Sequence, residues 1–76
     1  MSTARKVLRR TNTETSAVFE DGNVASIKLQ RQRIAWTCTD NLGMTRAEAS
    51  AAAELWDGKS SLQLGQYRFE LVEVQP

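Results

Sequence analysis

Histidine is absent from these 76 residues, and cysteine and proline occur once each. Each shortage removes a class of function. Without imidazole the chain lacks the commonest general base, and its lone thiol, Cys38, has no partner in a Cys/His nucleophile or a Cys/His zinc site. One cysteine also forbids an intramolecular disulfide, so a reducing cytoplasm fits best and Cys38 reads as a buried, inert thiol. No apolar segment reaches the length of a secretory or membrane-spanning stretch, and the basic start "ARKVLRR" runs into polar residues. The expectation is a soluble, unsecreted, cytoplasmic protein with no membrane partner.

What is present is ordinary for a globular domain: 41% hydrophobic and 25% charged residues with four glycines. A chain of this size forms one modest core and buries about 60% of the surface its unfolded form exposes. Charge is unevenly spread. Residues 1–33 carry seven Lys/Arg against three acids, and residues 34–76 carry three against six. Such polarity favours an oriented contact but falls short of the excess that marks a dedicated nucleic-acid binder.

Residues 1–13 hold Val7 and Leu8 as their main apolar groups, pass into "TNTETS", and read as a flexible basic N-terminal arm or a weak edge strand, leaving residues 14–76 as the single α+β domain. Asp21-Gly22 lies between two β-rich runs and predicts a hairpin turn. In "IKLQRQRIAWTC", Ile27 and Leu29 occupy odd positions whereas Ile34, Trp36 and Cys38 occupy even ones. One regular strand cannot place both sets on one face, so "QRQR" is expected to turn, with Arg31 and Arg33 at the tip of a second hairpin.

"MTRAEASAAAELWDG" carries helix signals: Thr45 as N-cap, Glu48 closing a capping box, Met44 stapling against Ala49, and Gly58 as C-cap. Ala49, Ala52, Ala53 and Trp56 form one flat stripe. In "SLQLGQYRFELVEV" the apolar parity switches across Gly65-Gln66, predicting a type II′ hairpin that pairs Leu64 with Tyr67 and Leu62 with Phe69. Val72 and Val74 fall on the other face. They call for a bulge or for a cover, supplied by the arm or by a second copy, so monomer and homodimer both stay open.

Gly58-Lys59-Ser60 resembles the end of a phosphate-binding loop, but the first glycine of that motif would fall at Ala53, and the order is helix to strand rather than strand to helix. No pair of acids has a spacing that marks acid-base catalysis, so neither enzyme activity nor a cofactor or metal is expected. The binding candidates are Arg9, Arg10, Lys28, Arg31, Arg33 and Trp36, because guanidinium groups and an indole supply charge and a π-face.

The expected architecture is α+β: a small antiparallel sheet with one helix packed on a face, in the order β-β-β-α-β-β. The expected function is a small non-enzymatic binding module that docks on another macromolecule, a protein before all others, as an adaptor, regulator or inhibitor. Such a domain suits a phage or mobile-element accessory protein that blocks a host complex. The alternative is a nucleic-acid-binding accessory protein whose basic arm and hairpin contact phosphates.

Overall fold

The computed structural model describes residues 5–22 and 24–74. The elements run β1 (Arg5–Asn12), β2 (Val18–Asp21), α1 (Ile27–Asn41), α2 (Arg46–Ala53), β3 (Leu62–Leu64) and β4 (Tyr67–Val74). The four strands form one antiparallel sheet in the order β2-β1-β4-β3. The class is α+β, but the element order is β-β-α-α-β-β with two helices, which corrects the expected β-β-β-α-β-β order and its single helix.

The largest correction concerns Ile27–Asn41. The expected hairpins at Asp21-Gly22 and at "QRQR" are absent, and the stretch is one 15-residue helix. The parity change that excludes a single strand is natural on a helix, where Gln30, Ile34, Thr37 and Cys38 recur at helical spacing and are the buried positions. Two of those four are polar, which hides the stripe. Ser26 starts the helix by accepting the Leu29 N–H at 3.2 Å. Thr37 and Thr39 donate their hydroxyls to the carbonyls of Arg33 and Ala35, a back-bond that lets β-branched residues sit in a helix.

Arg5–Asn12, read from the sequence as part of a flexible arm or as a weak edge strand, is a central strand. It pairs with β2 on one side and with β4 on the other, from Arg5 opposite Val74 to Asn12 opposite Tyr67. That register needs no bulge at Leu71-Val72. It sets Val7 against Val72, so the neighbour that the valines of β4 require comes from this chain's own first strand.

Two expected elements hold. Thr45 accepts the Glu48 N–H at 3.2 Å while the Glu48 carboxylate accepts the Thr45 N–H at 3.0 Å, closing the capping box of α2. The helix is shorter than its signals imply: its C-cap is Glu54 in the right-handed helical region, and Gly58 lies beyond it in the loop. The Gly65-Gln66 hairpin pairs Leu64 with Tyr67 and Leu62 with Phe69. Gly65 has φ +57, as the first central residue of a II′ turn requires.

Alternation along the strands puts Leu8, Arg10, Tyr67, Phe69 and Leu71 on the face that the helices cover. There Leu8, Tyr67 and Phe69 join Val24, Ile34, Cys38, Ala49, Ala53 and Trp56 in one cluster, with the alanines of α2 bringing its backbone close. A polar lock lies inside it. Gln30, 2% exposed, donates through Nε2 to the Val24 carbonyl at 2.7 Å and accepts the Trp56 indole N–H at 2.7 Å. Every strong hydrogen-bonding atom of this buried amide and indole has a partner on its working side, which keeps their burial from being costly.

Candidate functional site

The six candidate residues do not form one patch. Arg9 is on the sheet face away from the helices, where it pairs with Glu20 at 2.9 Å with both side chains substantially exposed; such a pair is worth about 1 kcal/mol or less. Arg31 is part of the framework. Its guanidinium donates to the Trp56 carbonyl at 2.9 and 3.1 Å and to the Glu54 carbonyl at 3.4 Å, satisfying the end of the α2 segment. Lys28 lines a separate shallow groove between α1 and α2, beside Ile27 and Arg31. The hairpin tip that was to present Arg31 and Arg33 together does not exist, and on a helix residues two apart point about 200° from each other.

Arg10, Arg33 and Trp36 do converge. They meet at a cleft of about 170 Å³ between β2 and α1, which Phe19, Asp21 and Asp40 also line. Arg10 reaches across from β1 to donate to the Thr37 hydroxyl at 2.9 Å, and its guanidinium carbon stands 4.9 Å from the Phe19 ring centre and 5.3 Å from that of Tyr67. Arg33 stacks on Trp36, one turn along α1, at 4.6 Å. These are cation–π distances.

Two features distinguish the cleft from a solvated charged surface. Phe19 is 52% exposed and Trp36 is 49% exposed, so two large aromatic rings face solvent on one side of the molecule. Next to them the Arg33 Nε is buried and has no hydrogen-bond partner. Neither Asp21 nor Asp40 forms an ion pair with either arginine. A buried guanidinium N–H left open in this way lacks the charge-assisted hydrogen bond that normally accompanies it.

Phe19, Tyr67 and Thr37 belong to the site and were not candidates. Tyr67 was expected as a core residue of the hairpin and does pack in the core, while its hydroxyl accepts from Asn41 Nδ2 at 3.1 Å. Phe19 had a legible signal: it alternates with Val18 in a strand too short to bury both faces. Its strand, β2, is an edge.

The Lys59 and Ser60 N–H groups both donate to Asp57 Oδ1, at 2.8 and 2.9 Å, so the Gly58-Lys59-Ser60 segment presents no open cradle for phosphate. Those bonds hold the Asp57 carboxyl below its usual range. Burial pushes the Cys38 thiol up, which suppresses the thiolate. Among the described residues no group of three His, Cys, Asp or Glu side chains could hold a metal ion, and no helix is long and apolar enough to cross a membrane. Comparison with protein-family models, with curated proteins and with solved structures finds no match to this chain.

Proposed function

We propose that the chain is a small non-enzymatic binding module that docks on another protein through the Phe19–Trp36 cleft, acting as an adaptor, regulator or inhibitor. The observation that carries this reading is the pair of half-exposed aromatic rings, each with an arginine stacked on it. Aromatic and arginine side chains dominate the energetic centres of protein interfaces, because they bury much area at little entropic cost. A cytosolic accessory protein that blocks a larger complex remains the setting that suits it.

Nucleic-acid binding is the second reading, and the Arg33–Trp36 stack favours it by offering charge beside a π-face. The distribution of bases weighs against it: Arg9 is on the opposite face, Lys28 is in another groove, and Arg31 is engaged with backbone carbonyls. Of the six candidate residues, that leaves Arg10 and Arg33 at the cleft, too few to follow a phosphate backbone by themselves.

The test is affinity capture from cells that express the chain, with wild type and a Phe19→Ser/Trp36→Ser variant, before and after nuclease. A discrete protein retained by wild type, resistant to nuclease and lost from the folded variant, supports the docking module. Capture that nuclease abolishes supports the second reading, and equal capture by both proteins removes the cleft from either.

A further inference from the structure

Among the described residues no strand pairs with the outer edge of β2, which borders the cleft, and its backbone is open there in a definite pattern. The Asn12 N–H donates to the Ala17 carbonyl at 2.8 Å. With the register Arg10 opposite Phe19 and Leu8 opposite Asp21, this makes those pairs the hydrogen-bonded ones. Val18 and Glu20 therefore turn their N–H and C=O groups away from β1, toward the open side. Val18, 57% exposed, presents an apolar side chain to the sheet face opposite the helices. Phe19 faces the other way, into the cleft that Arg33 also lines and where its guanidinium has no ion-pair partner among the described residues.

We propose that the occupant of this cleft is an extended acidic segment of the partner protein, which adds to β2 as a fifth antiparallel or parallel strand and sets a carboxylate on Arg33. This deepens the docking reading above and rests on it. Two independent features meet here. The open amides of Val18 and Glu20 give backbone affinity to any extended chain. The side-chain alternation then selects: a residue lying beside Phe19 faces the cleft, where a carboxylate can pair with the accessible part of the Arg33 guanidinium, which has no ion-pair partner among the described residues, and its neighbours face Val18, where a β-branched side chain covers exposed apolar surface. A partner segment that alternates acidic and β-branched residues satisfies both. Asp21 and Asp40 also line the cleft without pairing with Arg33, so their charge opposes an added carboxylate and favours a segment that brings a single acid there, at Arg33.

The probe is a short fluorescent peptide alternating glutamate and valine, compared with the same peptide carrying lysine for glutamate, with an N-methylated version that cannot pair as a strand, and with a thymidine oligonucleotide. Binding is followed by fluorescence polarisation and by amide shifts of the isotopically labelled full chain. The expected result is binding of the glutamate peptide at least about tenfold tighter than the lysine peptide, with protected Val18 and Glu20 amides, and loss of binding on N-methylation. Arg33→Met should erase the preference for glutamate while leaving strand addition. No binding of the glutamate peptide, equal binding of the lysine or N-methylated peptide, or shifts confined to another surface would overturn the proposal. An oligonucleotide that displaces the peptide or binds in its stead would overturn it in favour of nucleic acid. If the peptide fails while captured protein is still lost from the Phe19→Ser/Trp36→Ser variant, strand addition is wrong and the docking module stands; if that capture also fails, both fall.

Discussion

The two tryptophans occupy opposed surroundings. Trp56 is 1% exposed, packed among alanines of α2, and its indole N–H is bonded to Gln30. Trp36 is half exposed on α1, with the Arg33 guanidinium over its ring. The contrast continues in the polar residues beside them, which stand three apart on one helix: the Gln30 amide is engaged through both its nitrogen and its oxygen, and the single N–H of Arg33 Nε has no partner. One side of α1 is finished as structure. The other is left with capacity that a stable fold does not need, and unused capacity of that kind is where binding is to be sought.

The sharpest way to break the comparison is to truncate both indoles. Trp56→Ala should cost about 3–5 kcal/mol, enough to unfold much of the population of so small a domain, whereas Trp36→Ala should change stability by about 1 kcal/mol or less. Equal losses in denaturant melts would mean that Trp36 is a core residue after all. Next in size are the polar partners. Gln30→Leu strands the Trp56 N–H and the Val24 carbonyl and should cost about 2 kcal/mol or more. Arg33→Met removes an unpartnered donor and should be neutral or slightly stabilising by thermal melt.

The Gly65 turn offers a smaller effect on the finished side. Gly65→Val should cost upward of about 1 kcal/mol, because a β-branched residue resists positive φ and a Cβ there would stand 3.0 Å from Leu42 Cδ2. A wild-type melting temperature would remove the strained turn. The smallest effect is acid weakening of α2. Hydrogen bonds from the Thr45 backbone and then its side chain hold the Glu48 carboxyl below its usual range. A depressed folded-state value gives stability that is present above the unfolded value and is lost as pH falls through the folded one. Wild type should therefore lose slightly more stability than Glu48→Gln on acidification below the ordinary glutamate range, and parallel profiles would show that the capping box contributes nothing.

Local signals carried what was legible. The capping box of Thr45 and Glu48, the alanine stripe, and the parity switch across Gly65-Gln66 each lie within a few residues, so α2 and the β3–β4 hairpin could be read directly. Helix α1 could not, because Gln30 and Thr37 occupy half of its buried stripe and their partners are remote: Trp56 for one and Arg10 for the other. Strand β1 was obscured in the same way. Val7 and Leu8 are adjacent and both buried, 5% and 1% exposed, on opposite faces, and the arginines after them look solvated until Glu20 and Thr37 are placed beside them. Of the candidate residues, spacing on a supposed hairpin grouped Arg31 with Arg33, while the fold groups Arg33 with Arg10 and Trp36.

The pairing of β1 with β4 also fixes a timetable. The first and last strands described here are the two central ones, so the middle of the sheet is closed by the contacts most distant in sequence. Closing so long a loop must precede the reward for closing it, and chains dominated by such contacts reach the native state slowly. During synthesis Leu8 and the inner face of α1 have no floor until Tyr67–Val74 has left the ribosome. Until then the growing chain exposes an unpaired strand beside an apolar helix face, the kind of intermediate that chaperones attend and proteases cut.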